Sequence, residues 1–316
     1  MISNPIPWPN GARCAVSFTL DMDAESLLYL SYPDTAHRMV ATASQLRYGP
    51  NVAVPRILDT YKHYDIKQTF FVPGWCAERY PYALEAMVKE GHEVSGHGWL
   101  HEHPNELNDE EERFWFEHSI ASVQRITGEK PAGWRAPLYN YSHRSTELLI
   151  EAGIHYDASL MGDDVPYLIK STSGTLLEVP SHWGMDDWPA FMHSTEFGFQ
   201  MPIQAPSLAW QNWWDEFEAA WEYGGLWVPV WHPFLSGRLA RWHQTHKMIG
   251  KMMEKGGVWF APMRDIANYV KKCIADGSWT PRTERYGLLD DLPQIPGKRT
   301  SPPPDMNEKK VKVASA

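Results

Sequence analysis

His97 and His101 stand four residues apart in His97-Gly98-Trp99-Leu100-His101. On one helical turn positions i and i+4 share a face, so this spacing predicts two imidazoles able to reach one metal ion. A chain with 14 histidines produces such pairs by chance, and the pair gains weight only from its company. Asp21-Met22-Asp23 closes an apolar run, and alternate strand residues point the same way. Two carboxylates on one side repel each other, and a divalent cation would compensate them; a loop acid or helix cap is the ordinary alternative for either one alone. Arg135, in Trp134-Arg135-Ala136-Pro137, could grip a carboxylate through two hydrogen bonds or form a surface ion pair. His232 follows the very apolar run Leu226 to Val230 and is either a site residue or a loop histidine beside Pro233. His103, next to Pro104, is read as pointing away from any site. Glu93 and Asp157 are read as structural, and Asp163, Asp164, Asp186 and Asp187 as loop acids outside the site.

Along the chain, short apolar runs alternate with amphipathic stretches. Strands are expected over residues 13–20, 68–72, 92–95, 132–134, 154–158, 176–179, 226–231 and 258–260. Helices are expected over 54–63, 82–90, 108–127, 145–152, 208–222, 239–254 and 264–272. Asn108 and Ser207 are placed to cap two of these helices, and Gly128 follows the end of one. Strand–helix alternation implies a mostly parallel sheet, and seven or eight such units in about 270 residues suggest a barrel. Asp21, Asp23, His97, His101, Arg135 and His232 would then share the face where the strands end. Two His and one carboxylate make a facial zinc site with open positions. Residues 24–49 and 161–206 show little periodicity, and the Trp content of the second favours an ordered, site-forming loop.

The composition is that of a globular protein, 43% hydrophobic and 22% charged. A net charge of -10 argues against nucleic-acid or anionic-membrane partners. Three separated cysteines, Cys14, Cys76 and Cys273, give neither a disulfide framework nor a thiolate metal site. The first residues lack a basic and apolar leader, and no run approaches the ~20 apolar residues of a membrane span, so a cytoplasmic location is expected. The 16 tryptophans are read mainly as an aromatic core, with some lining a cleft.

The order of these pieces resembles the polysaccharide deacetylase family, also called NodB-homology or carbohydrate esterase family 4. Ser17-Phe18-Thr19-Leu20-Asp21-Met22-Asp23 is similar to its first motif. His97 to His101 is similar to its H-[ST]-x-x-H motif, with Gly98 in place of Ser or Thr. Arg135-Ala136-Pro137 is similar to R-x-P, and Val230-Trp231-His232 to the final histidine motif. The likeness runs from about Arg13 to Ala267. The Asp-Met-Asp spacing and the Gly-Trp pair resemble a cytoplasmic branch of peptidoglycan-deacetylase-like proteins, allantoinases and cyclic-imide hydrolases. Some imide hydrolases of that branch lack the arginine, which inclines this chain toward a deacetylase.

The resemblance implies a distorted (β/α) barrel of seven or eight parallel strands over residues 1–275, while residues 276–316 read as a polar, Pro-rich disordered tail. It implies a metal-dependent hydrolase of non-peptide C–N bonds. Asp23, His97 and His101 would hold Zn²⁺ or another divalent metal such as Co²⁺. Asp21 would be the general base, Arg135 the residue that orients Asp21, and His232 the general acid. The expected substrate is an oligosaccharide or small-molecule amide, and a homo-oligomer is implied by analogy. A small cyclic amide or imide hydrolase on the same site is the alternative, and a catalytically inactive binding protein is the alternative of another class.

Overall fold

The computed structural model describes residues 1–286, so residues 287–316 of the expected tail lie outside the described residues. Its strands are β1 Cys14–Val16, β2 Thr19–Asp21, β3 Thr69–Val72, β4 Glu93–Gly96, β5 Gly133–Trp134, β6 Tyr156–Asp157, β7 Tyr167–Ser171, β8 Gly174–Glu178, β9 Leu226–Trp227, β10 Val230–Trp231, β11 Val258–Phe260 and β12 Thr283–Glu284. The order β10-β2-β3-β4-β5-β6-β8 is parallel throughout, and β1 pairs in parallel with β9 and β11. Helices follow the strands, including Val54–His63, Pro81–Lys89, Asp109–Thr127, Ser145–Glu151 and Leu239–Lys255.

The expected strands 13–20 and 226–231 are each broken in two, for a local reason. Pro229 has no N–H to give to a ladder. The Phe18 N–H is taken by the Gln68 side chain at 2.5 Å instead of a neighbouring strand. The break lets β1 pair with β11 while β2, only two residues further on, pairs with β3. The gap between β8 and β10 is filled by the segment that follows β8. Ser181 Oγ donates to the Val228 carbonyl at 2.6 Å, the Asp187 N–H donates to the Val230 carbonyl at 3.1 Å, and Asp186 bridges Val230 in parallel. These contacts close the ring into a distorted barrel.

Both irregular stretches carry structure that periodicity did not reveal. Ser26–Ser31 and Val40–Tyr48 are helices, and β7 forms an antiparallel hairpin with β8. The long helix Asp109–Thr127 has the expected Asn108 cap, completed into a capping box by Glu111, and ends at Gly128 with φ +81°. Ser207 is no cap: Pro206 opens its helix and Ala205 precedes it without a side-chain bond. Ordered chain continues past residue 275, because Trp279 is buried and β12 pairs with β7. Eight of the 16 tryptophans are buried in the core and others pack against it, with Phe18 edge-on to Trp227 at 5.0 Å and Trp213 against Trp231 at 4.6 Å. Among the described residues no helix is long and apolar enough to cross a membrane.

Two adjacent polar residues inside this barrel are partnered to different extents. Glu93 is buried and accepts from Thr69 Oγ1, Ser95 Oγ, Tyr156 OH and the Arg264 N–H at 2.8–2.9 Å. Neighbouring His92 accepts from the Gln68 N–H at 3.1 Å through Nδ1, while its Nε2 is buried without a partner. Burial, reinforced by Lys67, pushes His92 down to about 4. An unfolded histidine titrates near 6.5, so below that pH the unfolded chain takes up a proton that the native fold refuses until about pH 4. Stability therefore falls as pH falls through this window, by up to about 1.4 kcal/mol per pH unit. Urea unfolding of wild type and His92→Asn, which keeps an acceptor but does not titrate, should show a steeper loss for wild type between pH 6.5 and 4. Equal slopes would refute this.

Candidate metal centre

Asp21 is the last residue of β2, and its successor is tied down by the Met22 N–H donating to the Phe71 carbonyl at 2.8 Å. The Asp23 main-chain carbonyl accepts from Cys76 Sγ at 2.9 Å and Ser26 Oγ at 2.7 Å, which holds the backbone at this position. His97 follows β4, where Gly96 lies so close to Trp134 that a Cβ would sit 2.7 Å from its ring. Arg135 follows β5, and His232 follows β10.

The expected helical turn through 97–101 is absent. The stretch is an irregular loop in which Gly98 (φ +68°) and His101 (φ +66°) are both left-handed. Two reversals of hand, rather than helical stacking, turn the imidazoles toward each other, with ring centroids 5.1 Å apart. A left-handed backbone is costly for histidine and is kept only where the surroundings hold it.

All six residues singled out by sequence line one cavity. His97 Nε2 lies 3.3 Å from Asp23 Oδ1, while His101 Nε2 and His232 Nε2 lie 3.5 and 3.4 Å from Asp23 Oδ2. Asp23 is fully buried, and neither carboxylate oxygen receives a hydrogen bond. Donor atoms of Asp23, His97 and His101 fall within 4.8 Å of one another. His97 Nδ1 is 2.8 Å from the Arg135 carbonyl, which can only accept, so the proton sits on Nδ1 and the Nε2 lone pair faces the carboxylates. An orphaned buried carboxylate beside two imidazoles fits a divalent cation. His103 belongs to no such group; its Nδ1 lies 3.4 Å from Glu106.

Electrostatics follow from this crowding. Burial favours a neutral Asp23, but His101, His232 and His97 outweigh it and hold the carboxyl well below its usual range. Burial pushes His101 down to about 4, against the pull of Asp23. For His97 burial is overcome by Asp21 and Asp23, which raise it. The attraction that draws a proton to His97 draws any cation by the same Coulomb law.

Arg135 is buried and its guanidinium lies 4.1 Å over the Phe71 ring. Of the two readings left open for it, a buried grip on carboxylate oxygen rather than a surface ion pair is what forms, through a single nitrogen. One nitrogen, Nη1, serves both Asp21 Oδ1 at 2.6 Å and Thr19 Oγ1 at 2.9 Å, while Nε donates to the Ala158 carbonyl at 3.1 Å. The fork is aimed along the strand ends, which leaves Asp21 Oδ2 free to face the cavity 3.7 Å from His97 Nε2.

Asp186 and Asp187, set aside as loop acids, are buried beside His232. Asp187 Oδ1 lies 2.6 Å from His232 Nδ1, and Oδ2 accepts from the N–H groups of His232 and Ser236, both at 3.0 Å. Asp186 accepts from the Trp188 N–H at 2.7 Å and from the Tyr139 hydroxyl at 2.5 Å. Because every oxygen of this pair is engaged, Asp186, Asp187 and His232 form a hydrogen-bonded assembly, unlike the orphaned Asp23. Burial opposes charge on His232, but Asp187 and Asp23 raise it well above the usual histidine range. Burial and Asp187 push Asp186 up to about 7, against the pull of His232. The available signal was two adjacent acids before Trp188 in a Trp-rich, aperiodic stretch; their partner, 45 residues later in the chain, follows from the barrel closure alone.

Tyr139, Trp183, Trp188 and Leu138 complete the wall, with Tyr139 edge-on to Trp183 at 4.7 Å. The space they enclose is about 20 Å³, room for about one water. A larger cavity, lined by His182, Glu216 and Tyr223 among others, lies apart from both acid–histidine groups.

A sequence model of the polysaccharide deacetylase family matches residues 46–156. The peptidoglycan deacetylase of Helicobacter pylori is 28% identical over 286 residues, covering 80% of this chain and 94% of that protein. A crystal structure of a Mycobacterium smegmatis protein described as a putative polysaccharide deacetylase superposes with a TM-score of 0.84 at 37% identity, over 90% of this chain and 98% of that one. The Puue allantoinase structure superposes with a TM-score of 0.74 at 25% identity, over 88% of this chain and 96% of that one. Sequence identity sustained along nearly the whole length, on the same NodB-type fold, shows that this chain belongs to the polysaccharide deacetylase family.

Proposed function

We propose that the protein is a metal-dependent hydrolase of a non-peptide C–N bond, of the N-deacetylase type. The observation that carries this reading is the buried Asp23 carboxylate, without a hydrogen-bond donor, ringed by three imidazole nitrogens at 3.3–3.5 Å. Asp23, His97 and His101 would hold the cation, Zn²⁺ by the chemistry of one carboxylate and two imidazoles. A divalent cation there supplies Lewis-acid polarisation of a carbonyl and a water acidic enough to react near neutral pH.

The remaining groups are assigned to proton movement. Asp21 Oδ2 accepts the proton of the attacking water, while Arg135 holds its other oxygen in place. His232 Nε2 delivers a proton to the leaving nitrogen, without which nitrogen departs poorly. Asp187 fixes His232 with the Nδ1–H directed away, so that Nε2 faces the cavity, and its negative charge favours the protonated ring. Tyr139, Trp183 and Trp188 exclude water around these transfers.

Asp21→Asn and His232→Ala should each lower kcat by roughly 10²–10⁴-fold while metal content, read by elemental analysis, stays stoichiometric. His97→Ala should instead purify with little metal. Near-normal turnover by metal-loaded Asp21→Asn would remove the base assignment. Asp187→Asn should also cost on the order of 10²-fold or more in kcat, at unchanged metal content, because the carboxamide neither attracts the imidazolium nor fixes its tautomer.

A second reading, hydrolysis of a small cyclic amide or imide, is favoured by the likeness to an allantoinase. Zn²⁺- or Co²⁺-loaded enzyme assayed on chitooligosaccharides, a peptidoglycan fragment, allantoin, hydantoin and succinimide separates the two. Release of acetate from the glycans alone supports the first. Ring opening alone supports the second. Stoichiometric absence of metal in the folded protein would overturn both and leave a binding protein.

A further inference from the structure

We infer that Glu102 is a positioning residue for the metal centre, acting through the left-handed loop that presents His97 and His101. This rests on the reading that these two histidines hold a cation. Glu102 directly follows His101, and it is buried although it makes no ion pair among the described residues. Its carboxylate turns back into the loop between the two histidines. The Trp99 N–H reaches Oε1 at 2.8 Å and Oε2 at 3.0 Å, and the Leu100 N–H reaches Oε2 at 2.7 Å. Two successive N–H groups converging on one anion make the concave nest that other proteins offer to phosphate or carboxylate ligands. Here the anion is supplied from within.

The other edge of the loop is held just as firmly. The Gly98 carbonyl accepts from the Gly74 N–H at 2.9 Å and from Ser119 Oγ at 2.5 Å, and the Trp99 carbonyl accepts from the Trp75 N–H at 2.8 Å. Those bonds fix where the loop sits. The carboxylate fixes its internal curvature, since it alone bonds the N–H groups on the inner side of the turn among the described residues. Gly98 cannot do this: it has no side chain, and a Cβ on it would meet Pro137 Cγ at 2.9 Å and Glu102 Oε1 at 3.0 Å. Curvature matters because His101 is left-handed at φ +66°. Released, a histidine relaxes toward negative φ, and its imidazole swings away from Asp23.

The test measures metal binding rather than turnover. Full-length wild type, Glu102→Gln and Glu102→Ala are titrated with Zn²⁺ against a chromophoric chelator, and the Co²⁺-loaded forms are examined by visible absorption. Glu102→Gln keeps the shape but offers one acceptor oxygen and an opposing N–H. It should weaken Zn²⁺ by about 10-fold, and Glu102→Ala by up to about 100-fold, as for other groups that orient metal ligands. The Co²⁺ bands should shift in both, while far-UV circular dichroism stays native. If Glu102→Ala fails to fold, Glu102→Gln decides. Folded variants with wild-type Zn²⁺ affinity and an unchanged Co²⁺ spectrum would overturn the inference and leave the metal reading standing. A wild-type protein that takes up neither ion would overturn both.

Discussion

A carboxylate removed from water and given no hydrogen-bond donor must be matched by positive charge, or the fold carries several kcal/mol of uncompensated desolvation. Asp23 is such a group. Its main-chain carbonyl is held by Cys76 and Ser26, and three imidazole nitrogens lie 3.3–3.5 Å from its carboxylate oxygens. The geometry around it is intelligible as the inner surface of a cation site, and the neighbouring acid–histidine assembly, fully satisfied, as something else. The contrast between the two clusters is one of hydrogen-bond accounting more than of residue type, since both contain carboxylates and histidine.

The barrel serves this centre through its breaks as much as through its strands. Splitting the first strand at Phe18 allows β2 to lean onto β3 and carry Asp21 and Asp23 to the rim. Parallel pairing then aligns the ends of β4, β5 and β10 with that rim, so residues over two hundred positions apart meet. Arg135 is the clearest case: one buried guanidinium ties the end of β2 to the end of β6 through Asp21, Thr19 and the Ala158 carbonyl. Removing it would leave Asp21 without its partner and the two strand ends without their tie.

Much of this was legible in the residues themselves. Asp21, Asp23, His97, His101, Arg135 and His232 each sit just after an expected strand, and parallel strands bring such positions to one face. Local conformation was less legible. The i, i+4 spacing of the histidines suggested a helix, but left-handed Gly98 and His101 achieve the same convergence, and what stabilises them is a side chain one residue beyond the motif. The Asp187–His232 contact had no periodic signature, because the segment carrying Asp187 is irregular and is seated by isolated bonds to Val228 and Val230. The hairpin of β7 and β8 and the helices of residues 24–49 are short elements whose stability comes from packing, which pattern alone does not report.

The stretch from Ser181 to Trp188 does three jobs at once. It seals the ring against β9 and β10, supplies the carboxylate that orients His232, and places Trp183 and Trp188 over the cavity. What enters the cavity is thereby mechanically coupled to the proposed proton delivery by His232: an insertion that widened the mouth would also shift Asp187 away from His232. A swap of one aromatic side chain at constant loop length would leave Asp187 where it is, whereas a foreign loop grafted here would move the cavity wall and the partner of His232 together.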